Sequence, residues 1–225
     1  ADPKLVKRPH VLKEIDADVL ARLADSGAKF IHKKALKFKD RDINVRVISN
    51  LSKGLNAKGT LVKGLFPAEL TVSLSYPEPV SMLTIVGRGV SEETGLLNDI
   101  SQRIRNSRVP LLGMSGNYDS LILYVPERSP SRMFESIHSI VTSRSETLAV
   151  ALRRNLAYLK VRGVGLEETP GLIGEISEPL RSSGINIFGI FTIASSILVF
   201  VDWADCRRAM ESISQALRRT YGNSR

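Results

Sequence analysis

Apolar side chains recur at every fourth position in Leu96, Ile100 and Ile104, and again in Leu172, Ile176 and Leu180. That spacing lines each trio along one stripe of an α-helix and predicts helices over 95–106 and 171–182, each with one buried face. Short apolar runs flank both helices. Upstream they predict strands over 81–86, 109–115 and 119–125 with a second helix over 131–142; downstream, strands over 157–162, 185–192 and 196–201 with a helix over 203–218. Near the N-terminus, Val19, Leu20 and Leu23 predict a helix over 18–25, and Phe30, Ile31, Ala35 and Phe38 another over 30–39, with Gly27 as a C-cap between them. "DINVRVI" alternates Ile43, Val45 and Val47 against Asn44 and Arg46, a half-buried strand, and "GTLV" returns as a second one after the polar loop 53–59.

The two helix–strand units are copies. Gly87, Gly95, Ile100, Arg105 and Gly113 reappear 76 residues later as Gly163, Gly171, Ile176, Arg181 and Gly189. Each copy reads β-α-β-β-α with short connections, which predicts a split βαβ, ferredoxin-like sandwich with helices on one face of an antiparallel sheet. A fourth strand is not identifiable in either copy. Pro67, Pro77 and Pro79 break residues 65–80 and mark them as a linker. The resulting partition is an α/β segment over 1–64, a linker over 65–80, and copies over 81–150 and 151–225. Units of this size bury a small fraction of their surface alone, so edge-to-edge pairing is expected.

Charge changes the picture only for the first segment. The chain carries +9 at neutral pH, and residues 1–64 hold 15 Lys and Arg against 7 Asp and Glu. Such a surplus suits a phosphorylated small molecule, a nucleic acid, a membrane surface or a plain solvated surface. Nucleic-acid readers interleave aromatics with the basic residues for stacking, yet this stretch has only Phe30 and Phe38, both in a predicted amphipathic helix. That argues against RNA or DNA. Cys206 is the one cysteine, which removes any disulfide framework and fits a reducing, cytosolic setting. No apolar run has the length of a membrane span, so no membrane role is expected.

Two glycine-rich turns invite a dinucleotide reading, "GRGVSEETG" and "GVGLEETPG", but Glu92 and Glu168 stand where the third glycine of G-x-G-x-x-G belongs. They read instead as strand-to-helix turns, with Pro170 early in its helix. Such a turn leaves helix N-terminal N–H groups that favour a carboxylate and can receive the α-carboxylate of an amino acid. The facing wall would come from Leu111 to Tyr118 and from Ile187 to Ala194. His10, His32 and His138 lack metal-ligand spacing with Cys206, and no G-x-S-x-G turn is present. No catalytic residue and no metal ligand is assigned. Trp203 reads as a packing anchor.

The phrase "PGLIGEISEPLRSSGINI" resembles the ACT domain, a small module that binds amino acids at domain interfaces. "ADPKLVKRPHVLKEI", "ADSGAKFIHKKALKFKDRDINVRVISN" and "GTLV" resemble the end of the aspartokinase catalytic domain, so with the ACT pair the likeness covers nearly the whole chain. The resemblance implies an amino-acid kinase α/β fold followed by two ferredoxin-like βαββαβ ACT domains. It further implies phosphorylation of the aspartate side-chain carboxylate by ATP with Mg2+, the first step towards lysine, threonine and methionine, under feedback by an amino acid. It also implies dimers through ACT sheets, with the second ACT unit inserted within the strand order of the first.

Carried over by residue, the resemblance gives Asp2 and Lys4 of "ADPK", and Lys29 and Phe30 of "GAKF", to the nucleotide. Lys4 stands where the family has arginine and meets a phosphate as a point charge, without bidentate geometry. Lys33 follows His32 in place of the usual proline. The family's N-terminal Lys-Phe-Gly-Gly and its aspartate-binding residues would lie upstream of Ala1, so this chain alone is expected to bind no nucleotide productively and to be inactive. It then belongs to a longer enzyme or works with a separate catalytic chain; a stand-alone amino-acid-binding module is the alternative. Leu112 occupies the place of an acidic residue in lysine-sensitive members, and Ser115-Gly116-Asn117-Tyr118 replaces Thr-Ser-Glu. The effector residues expected are Val90, Glu92, Leu111, Leu112, Asn117 and Tyr118, around threonine, lysine or, fitting best, an uncharged or apolar amino acid.

Overall fold

The computed structural model describes residues 7–8, 10–25, 31, 35, 38–49, 52–65, 69–129, 131–144, 147–163, 166, 169–193 and 196–221. The chain divides into two compact units. A middle unit comprises Leu74–Leu159 with Phe200–Arg207, and a flanking unit Ala1–Ser73, Lys160–Val199 and Arg208–Arg225.

In the middle unit the order is β5 (Val80–Gly87), a 3-10 turn (Val90–Glu92), α2 (Thr94–Asn106), β6 (Gly113–Asn117), β7 (Ser120–Pro126), α3 (Ser131–Thr142) and β8, which runs from Thr147 to Arg162 and contributes Thr147–Leu159 here. The sheet order is β6-β7-β5-β8, and β5 pairs antiparallel with both β7 and β8. A βαββαβ chain in this order is the ferredoxin-like sandwich expected from the sequence. Leu96, Ile100 and Ile104 of α2 and Met133, Ile137 and Val141 of α3 are buried against Leu83, Ile85, Leu123 and Val125 of the sheet. Tyr124 stacks on Phe200 with ring centroids 4.0 Å apart, and Phe200 stacks on Tyr158 at 4.7 Å. The predicted strand over 109–115 starts late, at Gly113, although the main-chain N–H of Leu112 already donates to Tyr124 O at 2.9 Å.

The unidentified fourth strand of the upstream copy is the first part of β8. It escaped the pattern because residues 151–155 are all exposed, and a bulge breaks their alternation. Val80 pairs with Leu156 but Met82 with Arg153, so β8 carries one extra residue there, where Asn155 has φ 60°.

The flanking unit holds β1 (Glu14–Asp16), α1 (Ala17–Asp25), β2 (Val45–Val47), β3 (Thr60–Lys63) and β4 (Thr71–Leu74), of which Thr71–Ser73 belong here. It continues with the end of β8, α4 (Leu172–Ser182), β9 (Gly189–Ile193), β10 (Ser196–Asp202, as far as Val199) and α5 (Cys206–Tyr221, from Arg208). β3 is central to a small sheet, parallel to β1 and antiparallel to β2. α1 buries Ala17, Leu20 and Ala21, whereas Val19 and Leu23 are exposed; the stripe lies one step round from the one predicted because the small alanines face β3. The predicted 30–39 helix falls almost wholly outside the described residues.

β4 lies inside the stretch expected to be a linker and pairs with β8. Residues before the upstream copy thus add a strand beside the first strand of the downstream copy, so the insertion runs opposite to the order the resemblance implied. Helix α4 begins after Pro170, not before it: its N-cap is Gly171 at φ 79°. Trp203 opens a 3-10 turn capped by Asp202, whose Oδ1 accepts from Ala204 N at 2.9 Å, and α5 starts only at Cys206. Burial pushes the Cys206 thiol up from its ordinary value, which favours the unreactive protonated form.

Candidate functional site

The turn after β5 makes one wall of a cavity. Gly89 has φ 69°, a left-handed conformation that a side chain resists, and this reverses the chain so that the 3-10 turn can lead into α2. The hairpin between β6 and β7 holds the turn in place. Asp119 O accepts from Gly87 N at 3.0 Å, Tyr118 O from Ser91 N at 3.2 Å, and Asp119 Oδ1 from Gly89 N at 3.4 Å.

Between the turn, the first turns of α2 and the edge strand β6 lies a cavity of about 560 Å³, within the size range of sites for small organic ligands. Val90, Leu96, Leu97, Met114 and Leu121 give it an apolar lining, with Glu93 and Asn117 among its polar groups. Asn117 Oδ1 accepts from Asp119 N at 3.0 Å and from Ser120 Oγ at 2.9 Å, which turns its amide so that Nδ2 is the group available as a donor. The N-cap of α2, Glu93, makes no side-chain capping bond. The first turn of the helix therefore has no side-chain cap, although Leu96 N donates to Glu93 O at 2.9 Å, and the macrodipole favours a carboxylate near this end. Glu93 turns away towards Arg144, whose Nη1 donates to its Oε2 at 2.9 Å while Nη2 donates to Asp99 Oδ2 at 2.5 Å.

Of the six expected effector residues, Val90, Asn117 and Tyr118 line the cavity; Glu92, Leu111 and Leu112 do not. Leu112 is drawn into the ladder by its bond to Tyr124, and Leu111 is 42% exposed. Glu92 belongs to the 3-10 turn, and its neighbour Glu93 is the acidic residue of the lining. Sequence reasoning missed Glu93, Thr94 and Leu97, whereas Met114 lies in the wall expected over Leu111 to Tyr118. Helical spacing held the signal for two of them: Val90, Thr94 and Leu97 follow one another at intervals of four and three. In the downstream copy part of the corresponding turn, residues 164–165 and 167–168, lies outside the described residues, as does Ala194 of its facing wall. Asp2, Lys4, Lys29 and Phe30 lie outside them too. Among the described residues no group of three or more His, Cys, Asp and Glu could hold a metal ion, and no helix is long and apolar enough to cross a membrane.

The βαββαβ sandwich of the middle unit has a ligand-sized cavity at its strand-to-helix turn, and residues 151–215 of the downstream copy match the ACT domain. The whole chain is related to the aspartokinases: it is 24% identical over 226 residues to an aspartokinase of Geobacillus stearothermophilus, covering 96% of this chain and 53% of that protein. Among solved structures, aspartate kinase from Synechocystis superposes with a TM-score of 0.68 at 20% identity, over 96% of this chain and 40% of the other. The regulatory subunit of aspartate kinase from Thermus flavus superposes with a TM-score of 0.55 at 16% identity, over 67% of this chain and 98% of that subunit. The chain spans about half the length of the curated relatives it matches.

Proposed function

We propose that this chain senses an amino acid on behalf of an aspartate kinase, which transfers a phosphoryl group from ATP, with Mg2+, to the side-chain carboxylate of L-aspartate in the intact cytoplasmic enzyme. The nucleotide contacts of Asp2, Lys4, Lys29 and Phe30 are part of this proposal. The observation that carries it is the cavity at the start of α2, with its apolar walls, the uncapped helix N-terminus for an α-carboxylate and the Asn117 amide as a further donor. An effector seated there changes catalysis only if it binds two states of the enzyme with different affinity.

Pairing with a second copy fits the same geometry. β6 is an edge strand, and Leu111, Met114 and Tyr118 beside it are exposed by 42, 47 and 55%. Continuing the sheet across this edge would cover those side chains and bring two cavities close together. A separate regulatory chain is the second reading, favoured by the match over 98% of a regulatory subunit.

Calorimetry of the chain against the common amino acids and MgATP, combined with sedimentation analysis, tests the proposal. Saturable binding of an amino acid by a dimer is expected. A folded chain that binds no amino acid at millimolar concentration would contradict it. Turnover by the isolated chain would overturn the assignment of catalysis to the intact enzyme.

A further inference from the structure

Glu93 is the one carboxylate among the described residues lining the cavity, and it is already engaged. Arg144, just past the end of α3, reaches over the first turns of α2 and is bracketed by Glu93 on one side and Asp99 on the other. Its side chain is 23% exposed and that of Glu93 is 30% exposed, so the pair is partly withdrawn from water. The guanidinium lies over Gly95, where a Cβ would meet both Nη atoms at 3.6 Å, an ordinary contact.

We propose that Arg144 sets the specificity of the cavity by engaging Glu93, so that the site accepts an amino acid with an uncharged side chain and rejects a cationic one. This rests on the effector reading of the cavity given above. A lysine side chain entering the cavity would have to share Glu93 with a guanidinium and would meet Arg144 as a like charge. Set among Val90, Leu97, Met114 and Leu121 with no carboxylate of its own, an ammonium exchanges hydration for the neutral hydroxyls of Ser91, Thr94 and Ser115, a poorer return than a charged partner would give. An acidic side chain meets Glu93 itself as a like charge. A neutral side chain pays neither penalty. The Arg144 clasp is therefore a positioning element, acting through Glu93 and not by touching the ligand.

Titration calorimetry of the full chain with L-leucine, L-threonine and L-lysine tests this, using wild type, Arg144→Met, Arg144→Lys, Glu93→Gln and the Arg144→Met/Glu93→Gln double variant. Wild type is expected to bind a neutral amino acid at least about tenfold more tightly than lysine. Arg144→Met frees Glu93 to accept a charge-assisted hydrogen bond, and should move the lysine-to-neutral affinity ratio towards lysine by about ten- to a hundredfold. Adding Glu93→Gln should cancel that gain, and Glu93→Gln alone should show no comparable move of the ratio towards lysine. Should Arg144→Met fail to fold by circular dichroism, Arg144→Lys, which keeps the charge and loses the fork, carries the test with a smaller shift in the same direction. Lysine binding as tightly as leucine to wild type, or an unchanged ratio in a folded Arg144 variant, would overturn the inference. Absence of any amino-acid binding by folded wild type would instead sink the effector reading beneath it.

Discussion

The Glu127 carboxylate accepts the main-chain N–H of Asn155 at 3.0 Å, and that residue is the left-handed member of the bulge in β8. The same carboxylate takes Ser81 Oγ at 2.5 Å and Arg154 Nη1 at 3.1 Å, so three donors from two strands converge on one side chain. A bulge leaves a ladder group without its strand partner, and here a carboxylate replaces the missing carbonyl.

Glu127→Gln should therefore cost about 1–3 kcal/mol, because it removes a charged acceptor from Ser81, which is fully buried, and from an N–H that the bulge has turned away from β5. Burial is the largest influence on this carboxyl and pushes its pKa up, but the hydrogen bonds from Ser81, Asn155 and Arg154, with the Arg154 charge, outweigh it and hold the group below its ordinary value. The stabilisation is then present above the ordinary carboxylate range and is lost as pH falls through the lowered folded-state value. Urea melts between pH 3 and 7 should show a shallower acid limb in Glu127→Gln; an unchanged limb would show the carboxylate to be structurally idle.

Gly89→Ala places a side chain on a backbone held at φ 69°. The left-handed conformation costs a non-glycine residue about 1–2 kcal/mol, and the new Cβ would also approach Glu92 Oε2 and Tyr118 Oη at 3.4 Å. Since this turn forms the cavity wall, amino-acid affinity should weaken along with stability. Gly174→Ala, inside α4 with nothing within 4 Å, serves as the control: stability should rise by about 0.5–1 kcal/mol with affinity unaltered. Calorimetric affinity and thermal melts on both variants separate the two effects.

Tyr124 is 2% exposed and its hydroxyl is pushed up to about 12, first by burial and then by the neighbouring Tyr158. Burial also raises Tyr158. Both groups stay protonated in the fold when the unfolded chain has begun to ionise. Their contribution is whole below pH 10 and disappears as pH rises through the folded-state values. Stability should consequently fall between pH 10 and 12, and phenolate absorbance should rise in a late step that Tyr124→Phe deletes. A single early step would mean that the stack on Phe200 admits water.

The parts of this fold that sequence reveals are those where one element decides its own pattern. Leu96, Ile100 and Ile104 mark α2 without help from any other element, and the helix over 131–142 coincides with α3. Strands whose form depends on distant partners are hidden. Thr71–Leu74 is four residues among prolines, and only its pairing with β8 makes it a strand. Residues 151–155 are exposed and bulged, so no alternation survives. The cavity was half legible for the same reason: Val90, Asn117 and Tyr118 follow from the turn and hairpin, whereas the role of Glu93 depends on Arg144, 51 residues away.

Asp18 in α1 draws together three cations. Arg22 pairs with it one helical turn on, Arg162 Nη1 stands 3.6 Å from Oδ1, and its charge also bears on Lys160. Burial is the main reason the Lys160 ammonium is held below its ordinary pKa; Arg22 adds to the shift, Asp18 opposes it, and Arg162 adds a little more. Asp18→Asn strips the counter-charge from a side chain that is only 18% exposed. Destabilisation of about 1–3 kcal/mol is expected, less than for a fully buried pair because Arg162 and Arg22 retain access to water. The pH dependence gives a second handle. A lysine whose pKa is depressed by folding penalises the native state while charged, so its penalty is relieved as pH climbs from the folded-state value towards the ordinary one. Without Asp18 the depression deepens and that relief should begin at lower pH. Melts of wild type and Asp18→Asn between pH 7 and 10, with Lys160→Met as reference, should show the difference between the first two narrowing as pH rises. A constant gap across that range would mean that Asp18 serves Arg162 and Arg22 alone.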